Sequence, residues 1–357
     1  MGVTSAARRC PYLPNRIPIE TDVARVAATR SASRILTGSF VYVWIVWRDR
    51  SLMKTPAKSL SPLVSRCNPC NLWTIPTFAA AMYSRDQLAG DFRKLGVSPA
   101  DTIMLHASVR TVGPIAGGPD QIHLALKDAL TPEGTLMMYA GCPQPTDEVG
   151  RGHLTAEEEQ ELMDKLPAFD PLTARSDRDN GTLVEFLRTY PGTLVNRHVA
   201  RFAVWGRRAA DLISSQPWDY AYGKDSALDR FVDLGGRVLL LGCDHDTVTF
   251  LHYAEHIADI PGKRVATFKV PVADNGTRVW KEMKEFDTSG AGAHPNWPDR
   301  FFARIVDTYL DQTNNAGGLV GTAQAFLLDS RGLLDFALPV MQAVAADAGA
   351  AEELLEG

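Results

Sequence analysis

The chain has 357 residues, 45% apolar and 22% charged, which allows one large domain or two ordinary ones and excludes a dominantly disordered protein. No apolar run approaches the ~18 residues of a membrane span, and five cysteines exclude a disulfide scaffold and fit a reducing compartment. The net charge of −5 hides two unlike parts. Up to Met82, 11 Lys/Arg face 3 Asp/Glu, and beyond it 26 face 39, so the parts carry +8 and −13.

Residues 1–81 show no sustained period of 3.6 or 2, and their prolines are scattered. The apolar run at 40–47 is too short to span a bilayer and has no small-residue cleavage site closely after it. An Arg- and Ser-rich, acid-poor leader resembles an organelle transit peptide; the simpler expectation is a disordered or spurious extension ahead of a domain at 82–345. Cys67 and Cys70 have redox or half-zinc spacing, but no second pair lies nearby, so they read as incidental thiols.

From Ser84 the pattern changes. Ser84 suits an N-cap for a helix over 85–95 closed by Gly96. A buried strand is expected at 102–106, a turn-rich loop at 113–118, a helix at 121–130 and a strand at 135–139. Residues 141–180 are polar and Pro-rich, long for a connector, and read as a lid or pocket loop; the acids at 157–161 read as a solvated helix face. A helix at 183–187 and a strand at 202–205 follow. The run 237–242, apolar without alternation, predicts a strand buried on both faces. After it a helix is expected over 247–258, capped by Asp246 or Thr247. Segments 264–272 and 277–286 flank Asp274, Asn275 and Gly276, a hairpin signal. A helix at 301–312, a strand at 322–328, a final helix and an acidic tail at 346–357 complete the chain. The expected fold is α/β, a single three-layer-like domain with a partly mixed sheet.

The densest chemistry lies between Gly242 and His256, where a buried strand gives way to a helix and α/β sheets commonly place ligands. His252, Glu255 and His256 stand at i, i+3 and i+4, on one helix face. A carboxylate beside an imidazole fixes its tautomer and makes a general base; the same spacing also serves an exposed pair on a helix surface. The letters also spell H-x-x-E-H, in which two imidazoles could hold zinc for a hydrolase. Cys243 could be a nucleophile, though a cysteine there is more often a small buried hydrophobe. Strand alternation puts Glu285 and Asp287 on one face and Phe286 opposite, an acidic pair suited to a basic substrate or simply an exposed strand end. No phosphate-binding glycine loop, Walker A string, G-x-S-x-G elbow or zinc-finger spacing occurs.

Between about 84 and 343 the chain resembles the aminoglycoside 3-N-acetyltransferases, the antibiotic N-acetyltransferase family. The resemblance is carried by Met104-Leu-His-Ala-Ser-Val-Arg110 with Val112-Gly-Pro114, by Phe169-Asp-Pro171, and by Leu239-Leu-Leu-Gly242. It continues in Leu251-His-Tyr-Ala-Glu255, Ile260-Pro-Gly-Lys-Arg264, Glu285-Phe-Asp287 and Leu319-Val-Gly-Thr-Ala-Gln324. It implies a fold distinct from the GNAT acetyltransferases and direct acetyl transfer from acetyl-CoA to a ring 3-amino group in a ternary complex, conferring resistance. By the same resemblance His252 is the base and Glu255 the acid beside it, while Asp287 and Glu285 contact the antibiotic. His106, Ser108, Val109, Arg110 and Gly113 belong to the loop lining the CoA arm. Asp147 and Asp170, in the polar segment, are further candidates for lining a cleft for a polycation, which would also account for the −13 domain. A cytoplasmic monomer or homodimer is expected, without metal, nucleic-acid or membrane partners.

The chain departs from the family pattern in three places. Val195-Asn-Arg-His-Val199 lacks a proline after its histidine, His256 replaces a small residue, and Gly141-Cys-Pro-Gln-Pro145 stands where relatives are Trp-rich. The last bears on which drugs are accepted. Two rival functions stay open on residues alone: a zinc hydrolase using His252, Glu255 and His256, and a non-catalytic acidic binder of cationic sugars.

Overall fold

The computed structural model describes residues 82–287 and 294–355. The basic leader, with its apolar run and its Cys67–Cys70 spacing, lies outside the described residues. Helix α1 (Arg85–Lys94) starts where the sequence places it: the Ser84 hydroxyl accepts from the Gln87 N–H while the Gln87 side chain accepts from the Ser84 N–H. Then come β1 (Thr102–Ala107), α2 (Asp120–Leu130), β2 (Thr135–Tyr139), α3 (Ala156–Lys165) and α4 (Leu183–Arg188). The middle of the chain forms β3 (Leu194–Val195), β4 (Phe202–Gly206), α5 (Ala209–Ile213), α6 (Ala227–Asp233), β5 (Arg237–Leu241) and α7 (Leu251–Ile257). The hairpin β6 (Val265–Asp274) and β7 (Thr277–Phe286) precedes α8 (Phe301–Gln312), β8 (Gly318–Val320), β9 (Ala323–Asp329), α9 (Ser330–Ala346) and α10 (Ala350–Leu355).

Seven strands form one sheet in the order β3-β4-β2-β1-β5-β9-β8. At its centre β1 pairs parallel with both β2 and β5, and every other pairing is antiparallel, so the sheet is mixed as expected. The register sets Leu105 beside Leu239 and Leu239 beside Leu327. Because side chains alternate along a strand, these residues with Ile103, Leu136 and Leu241 enter one core against α1, α2 and α4. Their neighbours Met104, Met137, Val238, Leu240 and Leu328 enter a second core on the opposite face, against α5 to α10. Both faces are apolar, which is why the central strands read as unbroken hydrophobic runs. Each fully buried Leu, Val or Met contributes on the order of 1.5–3 kcal/mol to holding these three layers together.

The hairpin is separate from the sheet. Its two-residue turn, Asn275 and Gly276, has φ of 47° and 80°, the all-positive geometry that follows the twist of a hairpin. A small third core of Cys142, Phe169, Val199, Phe268, Val270 and Met283 packs it on the 141–180 segment.

The structure departs from the sequence reading in several places. Strands β3 and β8 and helices α5 and α6 were not anticipated; all are seven residues or shorter, too brief for periodicity to show. Helix α7 begins at Leu251, four residues later than expected. Asp244, rather than Asp246 or Thr247, caps a short 3-10 turn at His245–Thr247, while the Asp246 carboxylate accepts the Ala303 N–H of α8 and Asp244 pairs with Arg300. Partners from a distant helix therefore outcompete the local cap. At the C-terminus, the acidic segment carries α10, whose Ala351 and Leu355 are buried. No helix among the described residues is long and apolar enough to cross a membrane.

Candidate active site

Helix α7 leaves the carboxyl end of the central strand β5 and carries His252, Glu255 and His256. The His252 Nδ1 lies 2.8 Å from Glu255 Oε2. Glu255 is 5% exposed and His252 28%, so the carboxylate is enclosed while the imidazole remains reachable. A carboxylate can only accept, so Nδ1 carries the proton and Nε2 presents its lone pair to the solvent side. The pair expected from i, i+3 spacing is thus formed, with its base end open.

A second imidazole–carboxylate pair lies one turn on. His256 Nε2 is hydrogen-bonded to Glu285 Oε1 of β7, and His256 Nδ1 to the His252 carbonyl at 2.6 Å. Glu285 Oε2 accepts the Ala221 N–H at 2.7 Å. The next residue, Tyr222, lays its ring against His252 (centroids 5.3 Å apart) and against His256 (5.6 Å). Its hydroxyl is 2.7 Å from that of Tyr139, at the end of β2. Burial raises both phenols well above their ordinary range, so both keep their protons.

Tyr139 opens onto a crevice of about 310 Å³ at the carboxyl ends of β1, β2 and β5, lined also by His106, Asn180, Cys243, Thr247 and Thr249. Burial pushes the His106 imidazole down to about 4, so it is neutral at physiological pH, and its Nε2 has no hydrogen-bond partner. Cys243 lines this crevice and a neighbouring hollow of about 440 Å³ bounded by Thr111, Gly242, His245, Thr322 and Gln324. Burial raises the Cys243 thiol, which keeps it protonated and makes it a poor nucleophile. Gly242, at φ 57°, is required here: a Cβ would stand 2.0 Å from the Thr111 hydroxyl.

Of the cofactor candidates, His106 lines the crevice. Ser108, Val109 and Arg110 lie on the short turn that follows it, with the Ser108 N–H donating to Leu241 O at 2.9 Å and Arg110 exposed. Gly113, at φ 92°, ends that turn against Thr322. The substrate acids are more scattered than the sequence suggests. Glu285, expected on the surface facing a cation, is 7% exposed and has both oxygens engaged by protein. Asp287 pairs with Arg264. Asp147 holds Arg151 at 2.7 Å and Gln144 at 3.3 Å. Asp170 accepts from the Thr173 hydroxyl and the Leu172 N–H, which depress its carboxyl. It lines a different groove, of about 540 Å³, beside Trp218, Trp280 and Lys281, and none of the His252 cluster lines that groove. Tyr139 and Tyr222 were missed by the sequence reading. Tyr139 ends a strand at the crevice, a signal that could have found it; Tyr222 lies in a loop and had none.

The zinc arrangement is not formed. Both His256 nitrogens are engaged by the protein, and no group of three His, Cys, Asp or Glu side chains among the described residues is arranged to hold a metal. Nor is the His–Glu pair an exposed surface pair, since Glu255 is enclosed.

Residues 104–342 match the family model described as aminoglycoside 3-N-acetyltransferase. The aminoglycoside N(3)-acetyltransferase III of Pseudomonas aeruginosa is 39% identical over 258 residues, 72% of this chain and 92% of that protein. The aminoglycoside N(3)-acetyltransferase VII of Streptomyces paromomycinus is 36% identical over 267 residues, covering 72% and 91%. Among solved structures, the binary complex of AAC-IIIb with CoASH superimposes with a TM-score of 0.67 at 37% identity, covering 74% of this chain and 97% of that one. AAC-VIa bound to sisomicin gives 0.67 at 35% identity, covering 74% and 98%.

Proposed function

Because the chain belongs to the aminoglycoside 3-N-acetyltransferase family, we propose that it transfers the acetyl group of acetyl-CoA to the 3-amino group of an aminoglycoside, by direct attack in a ternary complex. The observation that carries this reading is the His252–Glu255 pair, with its enclosed carboxylate and open Nε2, joined through the Tyr222 ring to Tyr139 of the strand-end crevice. An aminoglycoside amine is mostly protonated at neutral pH and cannot attack a thioester. The ammonium first gives up one proton to solvent through His252. His252 Nε2 then takes a second as the neutral amine nitrogen adds to the acetyl carbonyl, and Glu255 stabilises the imidazolium that forms. The tetrahedral adduct collapses by breaking the C–S bond, and the proton leaves with the CoA thiol. Holding amine and thioester in line supplies much of the remaining acceleration. The neutral His106 and Tyr139 line the crevice in which the thioester arm would end, with the turn from Ser108 to Gly113 following His106 in the chain. We propose a cytoplasmic enzyme, monomer or homodimer, because acetyl-CoA is an intracellular co-substrate, with resistance as the outcome.

Thiol release from acetyl-CoA in the presence of a panel of aminoglycosides tests the reading. The wild type should release thiol with at least one drug, and His252→Ala should lose at least ~100-fold in kcat. Full activity in that variant would place the base elsewhere. Binding of drugs without any thiol release would favour the sequestering protein, and stoichiometric zinc in purified protein that is required for activity would favour the hydrolase.

A further inference from the structure

Nothing in the family reading assigns a role to His256, one turn along α7 from the base, and the geometry around it is specific. Its Nδ1 faces the His252 carbonyl, which can only accept, so that nitrogen carries a proton. Its Nε2 faces Glu285 Oε1, which already accepts the Phe286 N–H at 3.1 Å, while Oε2 accepts the Ala221 N–H at 2.7 Å. With a backbone donor already on each oxygen, Glu285 stands as an acceptor in this arrangement, and Nε2 donates to it as well. Phe286 and Tyr222 close the ring edge-on at 5.0 and 5.6 Å, and the Lys263 ammonium donates to the His256 carbonyl.

We propose that His256, as a doubly protonated imidazolium locked on Glu285, is the positioning residue that sets His252. It acts along two routes. One is direct, through the hydrogen bond to the carbonyl of His252. The other runs through Glu285 to the Ala221 N–H and so to Tyr222, whose ring lies against His252. The loop is tied to β7 twice more, by the Tyr220 N–H to Lys284 O and the Lys284 N–H to Asp219, both at 2.8 Å. The catalytic helix, the hairpin and the Tyr222 loop are therefore fixed together at the buried pair. This assignment rests on His252 being the base, and it takes Glu285 out of the set of acids that contact the antibiotic.

The full-length protein provides the test. The 15N shifts of the His256 ring should report two protonated nitrogens at neutral pH, a readout independent of activity; one protonated nitrogen would overturn the assignment. Glu285→Gln keeps the volume but offers one acceptor oxygen where the carboxylate offers two, so it cannot accept from both the Ala221 N–H and His256 Nε2–H; it should lose several-fold in kcat with both KM values within about threefold. A rise of tenfold or more in the aminoglycoside KM of that variant would show Glu285 acting on substrate, against the proposal. The double variant His256→Leu/Glu285→Leu removes the buried charges together, a replacement that folded proteins often tolerate. With a cooperative thermal melt confirmed, it should lose about 10- to 100-fold in kcat with both KM values nearly unchanged, as expected of a displaced base. Wild-type kcat in that folded double variant would sink the proposal. Absence of thiol release by the wild type would instead count against the acetyltransferase reading, while the 15N measurement would still decide the state of His256.

Discussion

Glu185, on α4, shows how a single side chain sets pH dependence here. Burial raises its carboxyl, but hydrogen bonds from Arg188, Arg175 and the Ser176 N–H, at 2.7–2.9 Å, outweigh burial and bring it to about 2. A folded-state value below the ordinary 4.5 means that its contribution to stability is complete above that range and is lost as pH falls toward 2. Urea denaturation across pH should therefore find Glu185→Gln less stable than wild type at pH 7, with the gap closing toward pH 2; a gap constant over that window would contradict the assignment. His106 and His198 act one window higher. Burial lowers both from 6.5 to about 4, so each disfavours the fold progressively as pH drops below 6.5, when the unfolded chain gains protons that the buried rings refuse. His252 differs from both. It is reachable from outside and bonded to an enclosed carboxylate, and the expected loss in His252→Ala follows from that placement.

Among the elements, the 141–180 segment depends on a residue outside it. Arg201, fully buried just before β4, donates to the carbonyls of Gly141, Pro171, Ala174 and Arg175. Burial lowers its guanidinium to about 10, so it is still charged at neutral pH, and it has backbone oxygens as partners where a buried cation usually has a carboxylate. A lysine cannot reproduce this fork of donors. Arg201→Lys should cost at least ~2 kcal/mol in urea denaturation, since carbonyls are left unpaired. The same variant should be nicked by protease between 141 and 180 under conditions that leave the wild type intact; unchanged stability and cleavage would show that the segment is held by its small apolar core alone. Helix α7 makes the complementary point. Its late start follows from Asp244 and Asp246 serving α8, which leaves His252 in the first turn of the helix, close to the strand end.

For the whole molecule, the split of charge is the governing feature. The acids from Met82 onward outnumber the bases by 13, yet Asp147, Asp287 and Glu285 each already face a cation or a donor of the protein. Attraction of a polycation then comes from the summed field more than from any one carboxylate. The aminoglycoside KM should accordingly rise several-fold between low salt and ~0.5 M salt, with kcat little changed; a KM insensitive to salt would argue for specific, enclosed ion pairs instead. We propose that residues 82–345 hold the catalytic machinery, since the relatives are covered over more than nine-tenths of their length by a match to 72% of this chain. A chain beginning at Met82 should keep kcat/KM within about twofold of the full protein. Deleting 347–357 should by contrast lower the melting temperature, because α10 contributes Ala351 and Leu355 to the core.

The sequence by itself determined the layers. The positions of β1, β2, β5, β9, the hairpin and the long helices were legible because apolar runs, capping residues and the Asn275–Gly276 turn are local signals, and the i, i+3 spacing of His252 and Glu255 is local too. The short elements β3, β8, α5 and α6 were not legible, having too few residues to show a period. The surroundings of Glu285, Tyr139, Tyr222 and Arg201 were decided only by the tertiary structure. Strand alternation could say which face Glu285 shared with Asp287, but not that the face would close over His256; that depends on how a hairpin outside the sheet packs against α7, a contact between residues 29 apart in the chain. Local physics fixed which groups could react, and long-range packing fixed which of them were left open to do so.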